Sequence, residues 1–207
     1  GGVPAWVQRT GYTGDLGYEV FCENKHALAL YDALTEAGRP HGMVPMGLDA
    51  LDVARIEAGF VLQGVDYVTA KNCLIDGLKS TPDDAGLGWT VDLDRGPFVG
   101  SEAIKAERSR GPVWDLVGLD VDWEAMEEMY ARLGIPPHLA PEACRLPVPV
   151  YDRDGAQVGQ ATSTTWSPTC KQYLALAQVR RPHHLRGTEL FIEHPPVFER
   201  LKLPATV

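Results

Sequence analysis

The chain lacks several things, and each absence removes a class of function. No run approaches the roughly 18 consecutive apolar residues of a transmembrane helix, and no charged-then-apolar leader opens the sequence. No membrane association is therefore expected, and the cytoplasm is the expected compartment. Cysteine is sparse. Cys22, Cys73, Cys144 and Cys170 stand at least 26 positions apart without a CxxC pair, so neither a zinc knuckle nor a disulfide framework is indicated. Positive charge is also short, with 19 Lys+Arg against 28 Asp+Glu, a net charge of −9 and a pI near 5.1. That balance disfavours nucleic acid and anionic membrane, both of which recruit basic surfaces. An anionic ligand would need a local basic patch. P-loop, nucleophile-elbow and dinucleotide fingerprints are missing. His183, His184 and His194 fall in a late polar region without companions at metal spacing; they are read as solvated, and no metal is expected.

What is present is a chain of 207 residues, 44% hydrophobic, long enough to bury a core as one large domain or two smaller ones. Sixteen prolines and 21 glycines, spread rather than clustered, predict many turns and short elements. Residues 3–9 and 18–22 have the β-branched and aromatic content of an antiparallel pair. A helix follows, with Asn24 as its cap, Ala27, Leu30, Tyr31 and Leu34 at helical spacing, and Gly38 and Pro40 as its stop. A second helix is predicted over 45–60 (PMGLDALDVARIEAGF). A connector over 71–84 leads to a short strand-like stretch at 88–93 and a brief helix at 101–108. Strands then follow at 113–121, 148–151, 157–163, 173–179 and 189–192, with an Asp154-Gly155 hairpin among them, as in a small barrel or sandwich. Residues 122–133 (DWEAMEEMYARL) interrupt them as a helix, with Asp122 as cap and Met126, Tyr130 and Leu133 on one face. It reads as packed on the barrel in preference to a partner-facing lid. The whole is an α+β chain.

Two constellations could carry chemistry. In RTGYTGDLGYEV, residues 9–20, Tyr12 and Glu19 flank a glycine loop. A carboxylate pairs with any planar amidine-like group that offers two parallel N–H donors, as the pterin ring of folate does, and an aromatic ring can lie against such a plane. Taken alone, the stretch reads as a Gly-rich turn with Glu19 in solvent in preference to a ligand loop. In the second helix, Asp49, Asp52 and Arg55 recur every three residues and share a face. Arg55 could fork onto a ligand carboxylate, but spacing alone favours an intrahelical pair with Asp52.

The order of blocks says more than any one block. RTGYTGDLGYEV, PMGLDALDVARIEAGF with Asp66 shortly after, then DAGLGW at 84–89, FVGSEA at 98–103, ATS at 161–163 and Ser167-Pro168 together resemble the aminomethyltransferase family, the T-proteins of the glycine cleavage system. The resemblance covers nearly the whole chain. It implies a tetrahydrofolate-binding protein of three lobes around a channel. Residues 1–84 would be the later part of the folate-binding α/β lobe, and 85–207 a C-terminal antiparallel β-barrel with a helix inserted near 122–133. It also implies that about half the protein precedes this chain, including the aspartate that acts on the folate. The sequence, which has no initiator methionine, is thus expected to be a truncated form, inactive alone and without an assignable catalytic residue. By the same resemblance the pterin-binding glutamate falls on Glu19, and Tyr12 matches the tyrosine of the GYTG block. Arg55 and Glu57 fall in an RxEAG segment, where a wall role and a ligand contact stay open.

Two positions depart from the family pattern. Leu51 stands where T-proteins typically have arginine, and Gln63 where they often have tyrosine. Leu51 is more similar to the folate-binding parts of sarcosine- and dimethylglycine-oxidising enzymes and of folate-dependent demethylases. The expected activity is therefore one-carbon transfer to tetrahydrofolate, from a lipoylated H-protein or from a small methylated donor. A folate-binding accessory protein without transferase activity is the alternative, against which the absence of a Lys-Gly-Cys-Tyr-type block counts.

Overall fold

A computed structural model describes residues 2–71, 73–195 and 199–207, with only the backbone of Asp76. Asn72, within the predicted connector, lies outside the described residues. The chain divides into two units, Gly1–Phe60 and Val61–Val207.

In the first unit, β1 (Trp6–Gln8) and β2 (Glu19–Phe21) pair antiparallel, with Trp6 opposite Phe21 and Gln8 opposite Glu19. They are shorter than the predicted 3–9 and 18–22 at both ends; the glycine loop takes Arg9 and Tyr18. Helix α1 (Ala27–Gly38) is entered through a 3-10 turn over Asn24–His26, and no side chain caps it, so Asn24 opens the turn instead of capping the helix. Arg39–His41 forms another 3-10 turn, closed by Gly42 at φ +74°. Helix α2 (Leu48–Glu57), with Gly47 at its N-cap, starts three residues inside the predicted start. Among the described residues of this unit only Asp52, Arg55 and Ile56 are buried. Trp6 (72% exposed) in β1 and Leu28 (80% exposed) in α1 show how little of either element is covered.

The second unit begins with loops. The predicted strand at 88–93 is instead a 3-10 turn, Gly88–Thr90. Its carbonyls are engaged by a side chain rather than a strand: Arg108 donates Nη2 to Gly88 O at 2.7 Å and Nε to the Asp83 carboxylate at 3.0 Å. Arg108 lies on α3 (Ser101–Arg110), which Thr81 also meets, donating its hydroxyl to Glu107 at 2.9 Å.

Six antiparallel strands then close a barrel: β3 (Trp114–Val121), β4 (Val148–Tyr151), β5 (Gln157–Ser167), β6 (Gln172–Arg180), β7 (Glu189–His194) and β8 (Leu201–Thr206). Their order around the barrel is β3-β6-β5-β4-β7-β8, and Asp120 opposite Thr206 joins the ends. Alternating residues face inward, including Leu119, Val121, Val179, Leu190, Ile192 and Leu203. Helix α4 (Trp123–Arg132) interrupts the strands where the sequence places it. Asp122 caps it, accepting from Ala125 N at 2.9 Å, and Met126, Met129 and Tyr130 enter the barrel core. It is packing, not a lid. The Asp-Gly hairpin between β4 and β5 is also present, with Gly155 at φ +82° and Asp152 accepting from Asp154 N and Ala156 N. Strand β8 was not anticipated, and β5 extends four residues beyond its predicted end.

Candidate functional site

The glycine loop is held by close backbone approach. A Cβ on Gly11 would stand 3.3 Å from Gly17 Cα, and one on Gly17 would stand 3.2 Å from Gly11 Cα, so these two glycines form the neck of the turn. At the tip, Gly14 has φ +84°, and a Cβ there would meet Ala58 Cβ at 2.8 Å. The tip thus lies against the C-terminal end of α2. Tyr12 follows it down and stacks on Phe60, with ring centroids 5.8 Å apart and planes 16° from parallel.

Arg55 reaches the same place from inside. It is fully buried; its Nε donates to Asp52 Oδ1 at 2.8 Å and its Nη1 to Phe60 O at 3.3 Å. The intrahelical pair that spacing offered is therefore formed, while Asp49, the third member of that face, stays exposed. Tyr12 and Arg55 converge on Phe60, one through its ring and the other through its carbonyl. Phe60 was not singled out from the sequence; its only signal was an aromatic directly after the Gly59 that ends the helix.

Glu19 is placed differently. It opens β2, exposed, opposite Gln8, and among the described residues no cation pairs with it. What the loop offers is an uncommitted carboxylate at the end of a turn whose neck is bare backbone. Such a group can take two parallel N–H donors from a planar ligand without first breaking an ion pair.

In the second unit, two of the sequence blocks meet. Asp66 is buried, and its Oδ1 accepts from Thr162 Oγ1 and Ser163 Oγ, each at 2.6 Å, while Oδ2 accepts from Leu62 N at 2.8 Å. Successive strand residues normally point to opposite faces. Here β5 carries a bulge between Ala161 and Ser163, and the bulge lets two consecutive hydroxyls reach one oxygen. Asp66 thereby fastens residues 62–67, with exposed Gln63, to the barrel.

The histidines are not all solvated. His194 ends β7 half-buried, its Nε2 3.1 Å from Tyr130 Oη and its ring edge-on to Tyr130 and Tyr173. Burial pushes its pKa below the ordinary value. His184 lies in the turn after β6, 3.8 Å from Asp115. Among the described residues no cluster of His, Cys, Asp or Glu could hold a metal, and no helix is long and apolar enough to cross a membrane.

Two family models match the chain: the GCVT N-terminal domain over residues 1–95, and the glycine cleavage T-protein C-terminal barrel domain over residues 139–207. The chain is 40% identical over 208 residues to the trimethylamine-oxide aldolase of Ruegeria pomeroyi, covering all of this chain and 23% of that protein. It is 34% identical over 191 residues to the aminomethyltransferase of Halalkalibacterium halodurans, covering 92% of this chain and 45% of the relative. Over 200 residues it is 34% identical to the aminomethyltransferase of Caldanaerobacter subterraneus, covering 95% and 46%. The crystal structure of the glycine cleavage system aminomethyltransferase T from Bartonella henselae is similar at a TM-score of 0.73 and 26% identity, over 97% of this chain and 47% of that one. The chain thus spans about half the length of these aminomethyltransferases and about a quarter of the aldolase.

Proposed function

Because the chain belongs to the glycine cleavage T-protein, or aminomethyltransferase, family, we propose that it serves a tetrahydrofolate-dependent one-carbon transferase of the aminomethyltransferase type. The observation that carries the reading is Glu19, an exposed carboxylate with no ion pair among the described residues, beside a glycine-necked loop. Glu19 accepts the paired N–H donors of the pterin, and Tyr12, braced by Phe60, offers an aromatic wall. Arg55 acts through its buried pair, which holds Phe60 O and so the seat of Tyr12. Tetrahydrofolate, when bound, supplies a nucleophilic amine that accepts the one-carbon unit. The chain's own residues hold and orient it, which shortens the search for a reactive geometry. The division at residue 84 between folate lobe and barrel belongs to the same proposal, as does cytoplasmic residence.

In the aminomethyl reading the donor rides on the lipoyl arm of an H-protein; the methylene carbon bonds to two folate nitrogens as its bond to nitrogen breaks to release ammonia and its C–S bond breaks to return the lipoyl thiol. A second reading has specific support: a small methylated amine compound as donor. The 40% identity to a part of a trimethylamine-oxide aldolase favours it, as do Leu51 and Gln63 at positions where the T-protein pattern has arginine and tyrosine.

Two experiments test the reading. In the intact protein, Glu19→Gln weakens tetrahydrofolate binding by about 1–3 kcal/mol, the cost of a charged hydrogen-bond partner left unmet; unchanged affinity by calorimetry removes Glu19 from the pterin site. A donor screen read by mass spectrometry separates methylene-folate with ammonia, from lipoyl-bound aminomethyl, from one-carbon folate made with a methylated amine.

A further inference from the structure

Glu19 is met across the ribbon of β1 and β2 by Gln8, and the loop between them sets the pairing. Gly11 and Gly17 approach backbone to backbone at the neck, and the two strands leave it with Gln8 opposite Glu19, Val7 opposite Val20 and Trp6 opposite Phe21. Residues directly opposite in an antiparallel pair share a face, and a slip of one position would send Gln8 to the other side. Alternation puts Trp6, Gln8, Glu19 and Phe21 on one face of the ribbon, and Val7 and Val20 on the other. Gln8 and Glu19 are exposed on that face, with Trp6 and Phe21 72% and 49% exposed beside them. Among the described residues neither the carboxamide of Gln8 nor the carboxylate of Glu19 takes part in a hydrogen bond or ion pair.

The neutrality of Gln8 matters. A lysine or arginine directly opposite Glu19 would pair with it, whereas a carboxamide leaves the carboxylate open and adds an N–H donor on a side chain whose Cβ stands about 5 Å from its neighbour's. The pyrimidine edge of a 2-amino-4-oxo pterin presents three groups in a row: the 2-amino N–H, the ring N3–H and the 4-oxo oxygen. Glu19 meets the two donors in the contact proposed above. The oxygen beside them needs a donor, which a carboxylate cannot supply. We propose that Gln8 reads the 4-oxo oxygen of the pterin through its Nε2–H, so that Gln8 and Glu19 together recognise the whole edge and Gln8 determines specificity at the 4-position. The inference rests on the pterin reading of Glu19. Trp6 and Phe21 make the rest of the same face aromatic, which suits a flat heterocycle.

The test titrates tetrahydrofolate and its 4-amino-4-deoxy analogue, which differ at the pyrimidine edge alone, into the intact protein and into Gln8→Leu and Gln8→Glu, read by calorimetry. We expect Gln8→Leu to weaken tetrahydrofolate about fivefold, the loss of one neutral hydrogen bond. In Gln8→Glu the introduced carboxylate faces the 4-oxo oxygen as acceptor against acceptor but accepts from a 4-amino group. The ratio of tetrahydrofolate affinity to analogue affinity should therefore fall at least about tenfold. Equal tetrahydrofolate affinity in all three proteins overturns the role of Gln8 and leaves the pterin reading to the Glu19→Gln experiment. A loss that is the same for both ligands in Gln8→Glu marks a structural role for the ribbon and overturns the proposal as well. Absence of tetrahydrofolate binding to the unmodified protein overturns this inference and the pterin reading together. If Gln8→Leu does not fold, Gln8→Glu, polar at an exposed position, carries the test through the affinity ratio alone.

Discussion

Asp66→Ala would remove one acceptor group from three donors at once, and its cost can be worked from the geometry. Thr162 Oγ1, Ser163 Oγ and Leu62 N approach the carboxylate at 2.6, 2.6 and 2.8 Å. A donor deprived of its partner inside a protein costs about 1–3 kcal/mol. Thr162 has a substitute, since its hydroxyl already lies 3.2 Å from Leu176 O, so it recovers part of its loss by rotating. The expected destabilisation is therefore about 3 kcal/mol, short of three full penalties. Thr162→Val should cost less, about 1 kcal/mol, because the carboxylate keeps Ser163 Oγ and Leu62 N as donors. Urea unfolding of the protein, followed by tryptophan fluorescence, measures each variant. The double variant completes a cycle whose coupling should reach about 1 kcal/mol or more, as for groups in direct contact. An Asp66→Ala protein within about 0.5 kcal/mol of the parent, the range of a neutral surface change, would refute the claim that this carboxylate fastens residues 62–67 to the barrel.

Other outcomes follow from single sites. Gly159→Ala places a Cβ 2.2 Å from Gln178 O and 2.9 Å from Val179 Cα; forcing β5 from β6 should cost about 2 kcal/mol or more in thermal unfolding. Asp122→Ala removes the cap of α4 and should cost about 1 kcal/mol, read as a lower urea midpoint with the slope unchanged. His194 is held neutral by burial against Tyr130 and Tyr173, with Glu193 as its acidic neighbour in sequence. Its folded pKa lies below the unfolded value of about 6.5, so the unfolded chain binds the proton first. Stability is then full above that pH and falls as pH drops toward the folded pKa. The measurement is the urea midpoint at neutral and mildly acid pH, and in His194→Gln the part of the fall due to this group should vanish.

The barrel was legible wherever strands alternate between inward and outward residues, and the misses have physical causes. In β8 the alternation is present: Leu203 and Ala205 face the core, with Lys202 and Thr206 outside. Pro204 hides it, because a proline argues against a strand, yet here it sits opposite Phe191 at a position the barrel accommodates. The extension of β5 was obscured by polarity. In it Thr164, Thr165 and Ser167 are buried, as Thr162 and Ser163 are just before it, which no hydrophobic pattern announces. They are tolerated because their hydroxyls are used, by Asp66 for Thr162 and Ser163 and by Cys170 N for Ser167. At 88–93 the apolar residues matched a strand, but Arg108 claimed the carbonyls of Val91 and Gly88, 17 and 20 positions away, and a long-range partner leaves no local trace.

The candidate site divides along the same line between local and distant causes. Gly11 and Gly17 close the loop's neck and Gly14 turns its tip against Ala58; the first is a matter of spacing within the loop, the second of an encounter 44 positions away. Spacing also supplied the Asp52–Arg55 pair, because positions three apart on a helix always face one another. It could not supply Phe60 as the point where Tyr12 and Arg55 meet, since one uses its ring and the other its backbone oxygen, and only the fold brings both there. Glu19 is the converse case. Its local setting, the first residue of a short strand after a glycine turn, predicts exposure, and exposure is what it has. A solvent-facing carboxylate on a loop of this cost is an odd use of three glycines if the turn serves only to reverse the chain. Two-residue turns reverse a strand more cheaply. The longer loop instead carries Tyr12 to a braced position and leaves Glu19 at its exit with no ion pair among the described residues, the arrangement on which the proposed pterin contact rests.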